Sequence, residues 1–161
     1  MQIILRSVAN PPVPIQPVRP AGPGGPGHRF VFSEDFDLVS IDGRAAQNQR
    51  AISHSGFATT VRIAQANDNL YPAGNYLIQY EGTYRFNAVV NAVPAGGGLP
   101  SISLAMGQIT ARGLLYADPN INPIPPIRFA ITGGTDFYRL ARGEITEGTP
   151  QPDTRLLDIR L

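Results

Sequence analysis

NYLIQYEGTYRF, residues 75–86, decides the fold: Tyr76, Ile78, Tyr80, Tyr84 and Phe86 fall on one side, and Leu77, Gln79, Glu81, Thr83 and Arg85 on the other. A period of two marks a half-buried β-strand, because successive side chains of a strand point to opposite faces. The same period recurs in both directions along the chain. Upstream, HRFVFSEDFDLVSID (28–42) sets Phe30, Phe32, Phe36 and Leu38 against Arg29, Ser33, Asp35 and Asp37, and GFATTVRIAQ (56–65) repeats the pattern with Phe57, Val61 and Ile63. Downstream, SISLAMGQITARGLLYA (101–117) has Ile102, Leu104 and Met106 in phase with Gln108, Thr110 and Arg112. Its length, with Gly107 and Gly113 inside, predicts a bent or bulged strand. IRFAIT, FYRLARGEIT and TRLLDIRL complete the set. Between these runs lie DGRAAQNQR, NDNLYPAG, VPAGGGLP, DPNINPIPP, GGTD and EGTPQPD, all rich in turn residues. No segment of helical length carries a 3.6-residue stripe, so about seven or eight antiparallel strands form an all-β domain. The strands can close into a barrel or stack as a sandwich. Their length, and the tyrosines, glutamate and glutamine on the apolar face, favour a barrel around a ligand cavity.

Composition narrows the function classes. The chain has 161 residues, 42% of them hydrophobic and 16% charged, as expected of one globular domain. Cysteine is absent, which excludes thiol catalysis, iron–sulfur clusters and thiolate zinc sites. The thirteen basic residues are all arginine and are scattered, and the net charge of +1 lacks the basic footprint of a nucleic-acid binder. No stretch reaches membrane-span length and the first residues do not read as a signal peptide, so the expected location is the cytoplasm, with no membrane partner. Residues 11–27, PPVPIQPVRPAGPGGPG, contain seven prolines and four glycines, a composition that favours an extended arm or linker. The expected organisation is an arm over residues 1–27 and the barrel over 28–161. Within the arm, Pro14 to Pro17 fits a PxxP motif, although a plain linker is the more economical reading, and Met1 to Val8 could add a short edge strand.

Glu34 is the first candidate for chemistry. It stands on the apolar face of its strand, where a carboxylate is paired, protonated or functional. Desolvation there is expected to raise its pKa and make it an acid, a base or a hydrogen-bond donor, whereas a place at the rim or an ion pair with an arginine is the plainer alternative. Tyr76, Tyr80 and Tyr84 could orient a polar substrate group while their rings stack on a flat chain, or act simply as core aromatics. Phe30 and Phe32 would line the same cavity, and Met106 could shape an adaptable wall or fill a core gap. His28 and His54 have no acidic partner at ligand spacing, so no metal site is expected.

The segment FAITGGTDFYRLARGEI, residues 129–145, resembles the signature of the allene oxide cyclase and dirigent barrel superfamily. There a strand enters a GGTG turn followed by an aromatic residue and, in dirigent proteins, an ARG tripeptide. Here the turn is Gly133, Gly134, Thr135 and Asp136, with Phe137 as the aromatic residue and Ala141, Arg142 and Gly143 as the tripeptide. The strand Phe30 to Asp35 is similar to the dirigent FxFHD segment, with Ser33 and Glu34 in the last two places, and to the cyclase strand that carries an active-site glutamate. The resemblance implies an eight-stranded antiparallel barrel with an apolar cavity, assembled as a homodimer or homotrimer and acting without a cofactor. It also implies catalytic roles for Glu34 and Arg142, the latter as a fixed donor to a carbonyl or oxyanion. Arg142 has a plainer alternative as a surface partner of Glu144 or Asp158. The expected function is a cyclase or isomerase for a hydrophobic polyketide- or lipid-derived precursor, such as a [4+2] or spiro-ring-forming cyclisation. The alternative is a dirigent-like or lipocalin-like barrel that binds a hydrophobic ligand without catalysis.

Overall fold

The structure is a computed structural model that describes residues 1–8, 16–17, 26–27, 29–65, 73–87, 89–93, 102–118, 123–148 and 150–161. For residues 16, 17, 30, 47–51, 90, 91, 93, 102, 123 and 124 it describes the backbone alone. The strands are β1 (Gln2–Ser7), β2 (Gln16–Pro17), β3 (Arg29–Ile41), β4 (Arg44–Ile63), β5 (Tyr76–Phe86), β6 (Val90–Val93), β7 (Ile102–Leu104), β8 (Gly107–Ala117), β9 (Pro123–Ile124), β10 (Arg128–Gly134), β11 (Arg142–Glu147) and β12 (Thr154–Arg160). Among the described residues, eight of them pair in the order β3-β1-β12-β11-β10-β8-β5-β4, and β4 pairs back to β3 to close an antiparallel barrel. Closure removes the free sheet edges that an alternating chain of this length would otherwise expose.

β1 is a full stave of that barrel rather than an edge strand. It pairs on one side with β12 and on the other with β3, and buries Ile3 and Leu5 completely. The barrel therefore draws on residues at the start of the chain as well as on 28–161. Of the proline-rich arm, Gln16–Pro17 pairs with Val31 and Phe30, and the Gly27 amide donates to the Thr60 carbonyl at 2.7 Å. The rest of the arm, His28 and most of the PxxP motif lie outside the described residues.

Three sequence expectations shift in phase or length. DGRAAQNQR turns only at Asp42 and Gly43, and from Arg44 the chain already belongs to β4, which runs for 20 residues. On β4 the inward side chains are Ile52, His54 and Thr60, while Val61 is 44% exposed and Phe57 lies under the Arg29 guanidinium at 4.2 Å. Phe57 and Val61 thus lie on the outer face, and a bulge between Thr60 and Arg62 resets the register so that Ile63 pairs with the inward Tyr76 and packs against its cluster. The long stretch 101–117 divides into β7 and β8. Gly107, at φ +147°, changes the phase, so Leu104 is buried and Met106 exposed, and Ile109 and Ala111 take the inward positions of β8. Met106, at 56% exposed, lines no interior wall.

The lower end of the barrel is plugged. After β10 the chain makes a single 3₁₀ turn, Asp136–Tyr138, which drives Tyr138 into the interior. Its ring stacks on Phe86 at 4.9 Å and its hydroxyl donates to the Ala105 carbonyl at 3.1 Å. The GGTD and ARG elements build this plug. Gly143 has φ +146°, and a β-carbon on it would collide with the Asp158 carbonyl of the neighbouring strand, so only glycine permits that approach. Ile3, Leu5, Phe36, Leu38, Ile109, Ile131, Ile145 and Leu157 pack above the plug into one core.

Candidate functional site

The upper end is built differently. β1 stops at Ser7, opposite Phe36, and β12 begins at Thr154, opposite Arg6, but β3 continues upward to Arg29. At these strand ends, where the Val8 N–H donates to the Asp35 carbonyl at 3.0 Å, the wall has a notch among the described residues. A pocket of about 290 Å³ opens in it, lined by Ser7, Glu34, Phe36, Glu147, Pro152, Asp153, Thr154 and Arg155.

Glu34 points into this notch, in the phase that its strand pattern predicts, while Asp35 is exposed. Its Oε2 lies 2.9 Å from Arg155 Nη2 and 3.3 Å from Nδ1 of His54. Arg155 also approaches Glu147 at 3.5 Å, donates through Nη1 to the Tyr84 hydroxyl at 2.8 Å, and sets the same nitrogen 3.1 Å from His54 Nδ1. On its other side, the His54 Nε2 meets the Tyr80 hydroxyl at 2.5 Å. Aromatic rings hold this array. His54 stacks on Tyr84 at 4.2 Å, Tyr80 lies between Phe129 at 3.8 Å and Phe32 at 5.4 Å, and Arg155 sits over Phe36 at 4.9 Å.

Two glycines make the room. Gly56 and Gly82 face each other directly across β4 and β5. A β-carbon on Gly82 would strike the Tyr80 hydroxyl and come within 2.6 Å of His54 Nε2, and one on Gly56 would come within 2.8 Å of the Phe32 ring. Where neighbouring interior positions carry tyrosine, these two leave the space that lets a phenol and an imidazole meet edge to edge.

The electrostatics set a definite charge state. Burial pushes the Glu34 carboxyl up, but the hydrogen bond with His54 and the charge of Arg155 outweigh it and hold the group below the ordinary carboxylate value. The expectation of a raised pKa fails for that reason: the desolvated carboxylate has a cation against it. Burial brings the His54 ring down to about 4, with Glu34 opposing the fall and Arg155 adding to it. Burial also raises Tyr80 and Tyr84, so both remain phenols. Around Arg155, burial is more than offset by Tyr84, Glu147 and Glu34, and the guanidinium keeps its proton more firmly than usual. Near neutral pH the site therefore holds an ionised Glu34, a neutral His54, two phenols and a fixed cation.

The structure brings Glu34, Phe32, Tyr80 and Tyr84 together. Tyr76 is buried on the same face of β5 but joins a separate cluster with Ile78 and Ala117, roughly 13 Å from Tyr80 by strand rise. The Phe30 backbone pairs with Ala58, and its side chain lies outside the described residues. Arg142 lies at the opposite end of the barrel, exposed, with Nη1 on the neighbouring Ala141 carbonyl at 2.7 Å. That end of the barrel is remote from Glu34, and the guanidinium that lies against Glu34 is that of Arg155. Sequence reasoning passed over both His54 and Arg155. The available signal was phase, since Arg155 is in step with the inward Leu157 and Ile159, and His54 with Ile52.

No family model and no curated protein matches the sequence. Among solved structures the chain is similar to a pyocyanin demethylase, with a TM-score of 0.52 and 20% identity over 99% of this chain and 98% of that one. At that identity the likeness concerns the fold, and it extends over the barrel end to end.

Proposed function

We propose that this barrel is a small-molecule enzyme of the allene oxide cyclase and dirigent kind, a cyclase or isomerase for a hydrophobic, carbonyl-bearing precursor of polyketide or lipid origin. The observation that carries the reading is the hydrogen-bonded array of Glu34, Arg155, His54, Tyr80 and Tyr84, of which Glu34 and Arg155 line the notch together with the Phe36 ring. An ionised carboxylate held against a solvent-facing pocket can take a proton from an activated C–H or O–H. A guanidinium fixed within hydrogen-bond reach of the same space stabilises negative charge developing on a carbonyl oxygen. The Phe36 ring offers an aromatic surface for a flat chain, and a near-attack conformer can contribute about 7–11 kcal/mol at the upper limit. Cyclisation and isomerisation need these elements and little else. The structural neighbour's name, pyocyanin demethylase, supports small-molecule chemistry in a barrel of this build.

The test is a panel of linear polyenyl ketones, polyenoic acids and fatty-acid epoxides incubated with the protein and followed by chromatography with mass detection. The expected result is a product of unchanged mass, with Glu34→Gln lowering the rate by a factor on the order of 10² to 10⁴. A product lighter by one carbon unit would replace this reading with dealkylation. Tight binding with no conversion would favour the binding-barrel alternative, which the full set of partners around Arg155 independently supports.

A further inference from the structure

One nitrogen of the site serves two anions. Arg155 Nη2 lies 2.9 Å from Oε2 of Glu34 and 3.5 Å from Oε2 of Glu147, while Nη1 is committed to the Tyr84 hydroxyl at 2.8 Å. The arginine side chain is 10% exposed and the carboxylates 33% and 32%, so both anions open to the pocket that all three line and the cation between them is nearly covered. Glu147 is held by its backbone. It pairs with Arg155 at the end of β11, its amide donates to the Ile127 carbonyl at 3.0 Å, and the next amide, Gly148, donates to the Thr154 carbonyl at 2.8 Å. The other titratable or charged groups around Glu34 are His54 from β4, Tyr84 from β5, and Asp153 ahead of β12, which Arg6 of β1 engages at 3.5 Å. Tyr80 stands behind His54, Arg85 adds its charge at that ring, and Asp35, next along β3, is exposed.

We propose that Glu147 is a positioning residue for proton transfer at Glu34: it competes for the same guanidinium nitrogen, keeps Glu34 a better base than an undivided Arg155 would leave it, and becomes the counter-ion of Arg155 once Glu34 is protonated. With both carboxylates ionised, two negative charges stand against one positive charge. Like charges that share one nitrogen each raise the other's affinity for a proton, so Arg155 lowers that affinity at Glu34 and Glu147 partly offsets it. At 3.5 Å the contact with Glu147 is longer than the about 2.7–2.9 Å of a charge-assisted hydrogen bond, and the resting guanidinium leans to Glu34. When a ligand in the notch gives up a proton, its bond to hydrogen breaks, the ligand keeps the electron pair, and the proton bonds to a Glu34 oxygen. Nothing is oxidised or reduced. The neutral carboxyl holds Nη2 less strongly, and the Nη2 hydrogen can close on Glu147. A buried guanidinium left without an anion would oppose this step, whereas with Glu147 in place the protonated state keeps one cation against one anion. Both carboxylates already help Arg155 to hold its proton. The inference rests on the proposed function only in that Glu34 accepts a proton from a ligand in the notch.

The Glu34 carboxyl carbon, followed by carbon-13 NMR through a pH titration of the ligand-free protein, tests this. Glu147→Gln removes the competing charge and should move the Glu34 midpoint downward. A Glu147 that merely braced Arg155 would give the opposite sign, because a loosened guanidinium releases Glu34 toward the ordinary carboxylate value. His54 takes its proton at about 4, in the same range, so the comparison is repeated in a His54→Gln background, where the shift should keep its sign. An unchanged or raised midpoint overturns the inference. If Glu147→Gln does not fold, the wild type decides: the Glu147 carboxyl carbon should show an inflection at the Glu34 midpoint, and a carbon blind to it overturns the inference as well. None of these readings needs a compound from the panel to turn over, so the failure of this inference and the failure of the proposed function are told apart.

Discussion

Gly82→Ala adds one methyl group at the place where the site is tightest. The new β-carbon would overlap the Tyr80 hydroxyl and stand 2.6 Å from His54 Nε2. Tyr80 cannot swing away cheaply, because its ring is held between Phe129 at 3.8 Å and Phe32 at 5.4 Å. Overpacking a well-filled interior costs about 1–3 kcal/mol. Driving Tyr80 from His54 leaves a buried hydroxyl and a buried ring nitrogen without each other, a further cost of about 1–3 kcal/mol. Against this, alanine in place of glycine within a strand recovers about 0.5–1 kcal/mol of conformational entropy. The net expectation is a loss of about 1–5 kcal/mol, at its upper end a large share of the roughly 5–15 kcal/mol that keeps a typical domain folded. Urea unfolding followed by tyrosine fluorescence measures it, the chain having six tyrosines and no tryptophan. Pairing the substitution with Tyr80→Phe removes the atom that clashes first, so the double variant should lose less than the sum of the two single losses. Gly82→Ala within about 0.5 kcal/mol of wild type, or strictly additive losses, would refute the argument, since independent sites add within that margin.

Arg155→Met should cost about 2–4 kcal/mol in the same assay, somewhat less than the roughly 3–5 kcal/mol for breaking a fully buried ion pair, because both carboxylate partners are about a third exposed. It should also raise the Glu34 pKa, read from the carboxyl carbon by NMR. The His54 pKa is lowered from 6.5 to about 4, so the unfolded chain binds the extra proton in that window. Stability is therefore full above pH 6.5 and falls by about 3 kcal/mol as the pH drops toward 4, and His54→Asn should flatten that slope in a pH series of melting curves. Arg142→Ala should change stability by about 0.5 kcal/mol or less and leave turnover intact, since its side chain is exposed at the plugged end. A fall in turnover there would favour Arg142 over Arg155 as the cation of the proposed reaction.

The alternation of apolar and polar residues was enough to read an all-β chain, and in 32–38 and 76–86 it also gave the correct inward face, with Glu34, Tyr80 and Tyr84 on it. Those strands are regular through their inward stretch and carry large aromatic residues on one side only, so the pattern has a single interpretation. On β4 it has two. Phe57 and Val61 outweigh His54 and Thr60 in apolar character, yet closure of the barrel turns His54 and Thr60 inward, and a bulge past Thr60 brings Ile63 in beside Tyr76. A strand's inward face is set by the register of its neighbours, and a one-residue shift exchanges the two faces completely. The same limit applies to 101–117, where a positive-φ glycine breaks the phase in mid-run.

What the sequence determined by itself was local: the strand period, the glycine-rich turns, and a carboxylate placed where a carboxylate is costly. The site depended on pairings across the whole chain. Arg155 lies 101 residues from His54, and it reaches Glu34 only because β1, from the first residues of the chain, is inserted between β3 and β12 and stops at Ser7. The ARG tripeptide stood out in the sequence because a plug that threads backbone against backbone restricts which residues fit, and that restriction is written in consecutive positions. Arg155 left no such local trace. Its role comes from desolvation between two carboxylates and a phenol, and those neighbours exist only once the barrel has closed.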